Sequence, residues 1–260
     1  MENNVRAKKH LGQHFLKDEN IARNIVDAVL EEKSEDALIE IGPGTGVLTK
    51  YLIEKDNFFA LDVDTESIEY LKKTYPKHQS KIIFADFLQE DLVKLTGKQK
   101  FNIIGNFPYN ISSQIMFKVL ENRNNIDFVV GMFQKEVAER IAEKPGTKTY
   151  GILSVLLQAF YDISYLFTVS EHVFNPPPKV KSAVIKLKRN NVAKLPCNEF
   201  LFVKVVKTTF NQRRKTIRNS IRPIITFAEG AHPLLEKRPE QLSVAEFIEL
   251  TNFVEAQQAL

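Results

Sequence analysis

Five short, nearly unbroken apolar runs punctuate the first half of the chain: ALIEIG at 37–42, FFALDVD at 58–64, KIIFAD at 81–86, FNIIGN at 101–106 and IDFVVGMF at 126–133. Such runs predict strands covered on both faces, because a half-exposed strand would alternate apolar with polar residues. The segments between them repeat apolar residues at helical spacing. Ile21, Ile25, Ala28 and Val29 mark a helix that Asp18 can cap and that continues to about Leu30. Further helices are predicted over 47–53, 66–75, 112–120 and 135–143. A polar loop, KPGTKTYG at 144–151, precedes a buried helix at 152–160. YLFTVS at 165–170 and SAVIKLKR at 182–189 read as two more strands, joined through a PPP segment and expected to form an antiparallel hairpin at one sheet edge. Repeated strand–helix alternation argues for an open, mostly parallel α/β sheet. Beyond about Asn190 the pattern changes. Helical candidates at 200–210, 217–225 and 244–254 follow one another with no strand between them. The expected organisation is therefore a sheet domain over 1–190 and a small all-helical domain over 191–260.

Composition narrows this picture. The 260 residues are 43% hydrophobic, ordinary for a globular protein. A single cysteine, Cys197, excludes an intrachain disulfide and any Cys-rich metal site. The opening MENNVRAKKH lacks an apolar signal core, and no apolar run reaches membrane-spanning length, so a cytoplasmic protein without a membrane partner is expected. Net charge is only +4, but it is unevenly spread: residues 182–260 hold 13 basic and 7 acidic side chains. With the basic run Arg6, Lys8, Lys9 and His10, this asymmetry points to a polyanionic partner.

The candidate chemistry begins at EIGPGTG, 40–46, between the first of the apolar runs and its helix. Glycines at 42, 44 and 46 allow a tight turn and a close backbone approach to a ligand. The pattern is G-x-G-x-G, neither the dinucleotide fingerprint nor a P-loop. In such sheets ligands lie beyond the carboxyl ends of the strands. Asp62 ends the second run, where a carboxylate can accept both hydroxyls of a ribose. Asp86 ends the third, where it can accept an adenine amino hydrogen. Asp64 competes with Asp62, but its position two residues on suits a helix cap. A nucleoside ligand without a pyrophosphate fits this set; S-adenosylmethionine is such a ligand, and NAD is its rival.

GNFPY, 105–109, supplies an amide and a flat ring at the end of the fourth run. An exocyclic base amine is a poor nucleophile because its lone pair is delocalised into the ring. Acceptors that hold its N–H groups can turn that lone pair towards an electrophile. Asn106 offers a side-chain carbonyl, and the backbone of Phe107 or Pro108 a second acceptor. Pro108 stiffens the turn, and Tyr109 can stack on a base. With a methyl sulfonium behind the amine, transfer is a positioned displacement.

These pieces are joined by LGQHFLKD at 11–18, FNPPPKVKSAV at 174–184 and FNQRRKTIRN at 210–219, in an order spanning nearly the whole chain. Together they resemble the ribosomal RNA adenine N6,N6-dimethyltransferase family, the KsgA/RsmA group of bacterial small-subunit type. The resemblance implies a Rossmann-like class I sheet dependent on S-adenosylmethionine, with a helical C-terminal domain. It implies that His14 and the backbone of Leu16 touch the cofactor and that Gly42 lies against its methionine part. It implies that Asp62 holds the ribose, Asp86 the adenine amine, and Asn106 both cofactor and target amine. Tyr109 would stack on a flipped adenosine, Phe174 on its other side, and Phe15 would close the pocket. Read as structure alone, Phe174 is a core residue. His14 stands where many members have Asn, Phe107 where many have Leu, and Asp62 where Glu is usual, so ribose contact needs a closer approach.

The implied activity is dimethylation of two adjacent adenosines in the hairpin near the 3′ end of 16S ribosomal RNA, during small-subunit biogenesis, by a monomer. Arg213, Arg214, Lys215, Arg218 and Arg222 are spaced so that one helix can present several cations to RNA phosphates. The loop at 147–150 is a further candidate RNA contact. The alternatives are a large-subunit (23S) adenine methyltransferase of the macrolide-resistance type, disfavoured by FNPPPKV and FNQRRKTIRN, and a non-catalytic ribosome-assembly factor, disfavoured by an intact GNFPY.

Overall fold

A computed structural model describes residues 5–226 and 232–258; Met1 to Asn4 of the N-terminal run lie outside them. In chain order the elements are β1 (Phe15–Leu16), α1 (Glu19–Leu30), β2 (Ala37–Ile41), α2 (Thr49–Leu52), β3 (Phe58–Asp62), α3 (Thr65–Thr74), β4 (Ile82–Phe84), α4 (Leu92–Thr96), β5 (Phe101–Asn106), α5 (Ser112–Glu121), β6 (Ile126–Gln134), α6 (Lys135–Ala142), α7 (Ile152–Gln158), β7 (Tyr161–Val169), β8 (Phe174–Asn175), β9 (Ser182–Arg189), α8 (Glu199–Asn211), α9 (Ile217–Ser220) and α10 (Val244–Gln258). They form two compact units: residues up to Ala138 with Ile163–Arg189, and Glu139–Asp162 with Asn190 onward.

The first unit is built on a seven-stranded sheet of order β4-β3-β2-β5-β6-β9-β7. β4, β3, β2, β5 and β6 run parallel, and β9 pairs antiparallel with β6. The expected edge pair is present as neighbours, but with β9 inside and β7 at the edge. Every residue of β2 is buried, as its unbroken apolar run requires, whereas edge strand β7 is largely exposed. Helix α1 starts where Asp18 accepts hydrogen bonds from the N–H groups of Asn20 (2.9 Å) and Ile21 (3.0 Å). It buries Ala22, Ile25, Val26 and Val29, each branched side chain contributing about 1.5–3 kcal/mol. After β2 the chain steps outward to β3 and β4, then returns to the other side of β2 for β5. This reversal creates a crevice at the carboxyl ends of β2 and β5.

In the second unit, α7 packs on α8 and α8 on α10. Ser154 Oγ donates to Arg140 O, and Gln158 Nε2 donates to Ile141 O and Glu143 O, which ties 139–143 to α7. One sequence expectation is corrected here. The basic cluster does not lie on one helix: α8 ends at Asn211, Thr216 starts a four-residue α9, and Arg213, Arg214 and Lys215 occupy the turn between them. Arg213 Nη2 donates to Lys148 O at 2.6 Å, while Arg214, Lys215 and Arg222 are exposed. In the 147–150 loop Thr147 and Lys148 are exposed, whereas Tyr150 is fully buried against Phe210, 6.3 Å between ring centroids. Among the described residues, no helix is long and apolar enough to cross a membrane.

Candidate active site

The parallel register brings the carboxyl ends of β2, β3 and β5 level: Ile41 lies opposite Leu61, and Glu40 opposite Ile104. After β2 the chain turns through Gly42 and Gly44, at φ of 67° and 54°. A Cβ on Gly44 would stand 2.7 Å from the Phe15 ring, so only glycine lets the N-terminal arm close on this turn.

Asp62 is 7% exposed. Its carboxylate is aimed by backbone N–H donors, Asp64 at 2.9 Å and Gly44 at 3.3 Å. Burial, reinforced by the Asp64 charge, pushes its pKa up to about 6. Glu40, fully buried behind it, accepts from Thr49 Oγ1 at 2.7 Å. Burial and the Asp62 charge push Glu40 up to about 8. At neutral pH, Glu40 therefore keeps its proton and Asp62 carries the charge.

Asp64 caps α3 through Glu66 N (3.1 Å) and Ser67 Oγ (2.9 Å). The same carboxylate also receives Lys8 Nζ and, at 3.1 Å, Gln13 Nε2. Burial raises its pKa, but these donors outweigh it and hold the carboxyl below its ordinary range. The sequence suggested only the cap; the anchoring of the arm needed the fold. Asp86 receives Leu88 N on Oδ1 at 2.9 Å, and its Oδ2 takes no donor among the described residues.

Opposite this wall stands the turn after β5. Phe107 is buried, packed edge-on against Phe133 at 5.0 Å. Its ring lies over Gly105 and Gly131, where added Cβ atoms would approach it within 2.7 and 2.2 Å. The aromatic in GNFPY is thus an anchor that fits because two neighbouring strands are bare. Asn106 Nδ2 donates to His14 O at 2.8 Å, which leaves its Oδ1 without a donor among the described residues. The Tyr109 and His14 rings stack, 5.3 Å apart and 28° from parallel. Tyr109 Oη bonds Ser182 Oγ at 2.5 Å, and burial pushes the phenol above its ordinary range despite that bond. His14 Nδ1–H donates to Pro176 O at 2.8 Å.

His14, Gly42, Asp62, Asp86, Asn106, Pro108 and Tyr109 line a single cleft of about 770 Å³, measured out to open solvent, and Phe15 closes one side. Leu16 and Phe174 do not line it. They pair with each other across β1 and β8 and are buried in the main core, 3% and 1% exposed. Phe174 accordingly presents no ring to the cleft, which corrects the expectation that it stacks opposite Tyr109. The short β1–β8 ladder, unsignalled by any sequence periodicity, puts it in the core. Val63 and Leu88, apolar residues near Asp62 and Asp86, also line the cleft, and no pattern in the sequence marks them.

The donor set suits a nucleoside. One buried, ionised carboxylate is fixed by the backbone, a second has an open lone pair, and a glycine turn admits close approach, with no nest of cationic groups for a pyrophosphate. This sheet and cleft define a class I S-adenosylmethionine-dependent methyltransferase. The comparisons carry the assignment further. The chain belongs to the ribosomal RNA adenine dimethylase family, whose model matches residues 4–255. It is 59% identical over 253 residues to the ribosomal RNA small subunit methyltransferase A of Cytophaga hutchinsonii, covering 96% of this chain and 98% of that one. It is also 59% identical over 254 residues to the protein of that name in Flavobacterium johnsoniae, covering 97% of each. Among solved structures, a dimethyladenosine transferase from Plasmodium falciparum superposes with a TM-score of 0.78 at 25% identity, covering 94% of this chain and 98% of that one. The 23S rRNA methyltransferase ErmE, at TM-score 0.66 and 22% identity over 93% of this chain and 99% of its own, shares the fold.

Proposed function

We propose that this chain transfers methyl groups from S-adenosylmethionine to N6 of two adjacent adenosines in the hairpin near the 3′ end of 16S ribosomal RNA, two methyls on each, during assembly of the small subunit. The observation that carries this reading is that the Asp62–Asp86 carboxylates and the Asn106–Tyr109 turn open into one cleft.

S-adenosylmethionine, when bound, supplies an electrophilic methyl on a sulfonium. The residues around it bind and orient. Gly42 accommodates the methionine part, Asp62 accepts the ribose hydroxyls and Asp86 Oδ2 the adenine amine. Asn106 Oδ1 and the carbonyl of the turn accept N–H from the target amine, so that its lone pair faces the methyl. Tyr109 stacks on the target base, which must leave its own stack to reach the cleft. The His14 ring already covers that face of Tyr109, so it moves aside or shares the stack when the base enters. No general base is required, because the methylated ammonium sheds its proton after transfer. A once-methylated amine retains one N–H, enough for one of the two acceptors, so a second methyl can follow.

We place Arg214, Lys215 and Arg222, on and after the α8–α9 turn, against RNA phosphates, and we read the protein as a cytoplasmic monomer. Replacing Arg214 by Ala is expected to lower the slope of log affinity against log salt by about 0.7–0.9. The decisive test supplies immature small subunits and separated large-subunit RNA to the purified protein and maps dimethyladenosine. Methylation confined to the small-subunit hairpin supports the reading; methylation of large-subunit RNA replaces it with the alternative.

A further inference from the structure

We propose that Lys118 is a positioning residue that fixes the adenine-binding loop to the helix that follows the target-base turn. This inference rests on the reading of Asp86 as the acceptor of the cofactor's adenine amine. Asp86 sits in a tight turn: Gln89 N and Glu90 N donate to its carbonyl at 2.9 and 3.0 Å, and Leu88 N donates to its carboxylate. β4 ends at Phe84, and the entry to the turn is tied to β3 by Ala85 N, which donates to Asp62 O at 3.0 Å. The far side of the loop, 88–90, is fastened by another element. Lys118, on α5, donates from Nζ to Leu88 O at 3.0 Å and to Glu90 O at 2.6 Å. Its ammonium also stands 5.9 Å from the centroid of the Phe87 ring, which is 3% exposed.

The stem of Lys118 thus spans from α5 to two carbonyls flanking Gln89, at opposite ends of one side of the loop. Helix α5 begins at Ser112, three residues after Tyr109, and Ser112 Oγ donates to Tyr109 O at 3.2 Å. The adenine acceptor and the base-stacking ring are therefore tied to the same helix. A bidentate hold on two carbonyls by a charged donor is stronger than neutral hydrogen bonds and restricts the loop's lateral freedom. If the 88–90 side of the loop drifts, Asp86 Oδ2 loses its aim at the amine, while the Asp62 carboxylate, held by Asp64 N and Gly44 N, keeps the ribose contact.

The test compares binding of S-adenosylhomocysteine with that of its purine analogue lacking the 6-amino group, by calorimetry, in wild type and in Asp86→Ala, Lys118→Met and Lys118→Arg. Wild type is expected to prefer the amino compound by about tenfold or more, the size of a hydrogen bond to a charged group. Lys118→Met is expected to reduce that preference to within about twofold, with affinity for the purine analogue unchanged, and Lys118→Arg to restore part of it. Asp86→Ala should lose the preference as well. A Lys118→Met protein that keeps the preference while Asp86→Ala loses it overturns the positioning role alone. An Asp86→Ala protein that keeps the preference overturns the adenine assignment, and this proposal with it. Equal weakening of both ligands in Lys118→Met reports a merely structural residue and also overturns the proposal. Should Lys118→Met not fold, Lys118→Gln, which keeps an N–H donor group but no charge, carries the same comparison with an intermediate loss expected.

Discussion

On one side of the cleft, Asp62 is held by backbone N–H groups and Asp86 by the turn it closes. On the other, Asn106, His14 and Tyr109 hold one another, through Asn106 Nδ2 to His14 O, the His14–Tyr109 stack and Tyr109 Oη to Ser182. The wall assigned to the cofactor is preorganised by main chain that ligand binding need not disturb. The wall assigned to the base is made of side-chain contacts, some of which a purine must displace. On the proposed roles, cofactor affinity rests on fixed main chain, whereas entry of the base is an exchange of side-chain partners.

The comparison can be broken most sharply at Asn106. Asn106→Ala is expected to slow single-turnover methyl transfer by about 10²–10³-fold while cofactor affinity changes less than about tenfold. Equal losses in rate and affinity would mean that the two walls are one. Next in size, Asp62→Ala is expected to weaken cofactor binding by about 10–100-fold, the cost of losing hydrogen bonds to a charged group, with turnover at saturation retained. Because the carboxyl titrates at about 6, cofactor affinity of the wild type should fall as pH drops through that value. Asp62→Asn should bind more weakly but with a flat profile; calorimetry at a series of pH values distinguishes these behaviours. On the base wall, Tyr109→Ala is expected to raise KM for RNA by about 5–150-fold, from a stacking contribution of about 1–3 kcal/mol. Tyr109→Phe forfeits only the Ser182 bond, about 1 kcal/mol, and should leave RNA binding near wild type while lowering the melting temperature.

A separate effect, on stability rather than on binding or rate, concerns the buried carboxyl behind the cofactor wall. Glu40 titrates at about 8 when folded, above its ordinary 4.5, so between those values the folded chain holds a proton that the unfolded chain has released. Stability is therefore lost as pH rises from about 5 towards 8, and Asp62 adds the same sign up to about 6. Glu40→Gln should flatten that decline in thermal melts. A melting temperature in the wild type that rises over this range would contradict a Glu40 carboxyl held protonated by burial.

Much of this architecture is legible in the amino-acid sequence. The unbroken apolar runs marked β2, β3, β5 and β6 because strands buried on both faces leave no polar register. Asp18 and Asp64 announced helix starts because their side chains reach N–H groups two or three residues ahead. Short elements escaped notice. β1 and β8 have two residues each, and two residues carry no periodicity. The basic run at 213–218 has helical spacing, yet α8 ends before it, because the chain turns at Gln212 and restarts at Thr216.

By itself, the sequence determined the alternation of strand and helix, the glycine turn, the acidic strand ends and the Asn–Phe–Pro–Tyr turn, since each is a local pattern of side chains and backbone freedom. Only the tertiary structure decided that Phe174 belongs to the core, that Asp64 anchors the arm and that Lys118 grips the 86–90 loop. Those outcomes depend on residues far apart in the chain meeting in space, as Lys118 meets Glu90 and Leu16 meets Phe174. No local periodicity encodes such meetings; the packing of the whole sheet does.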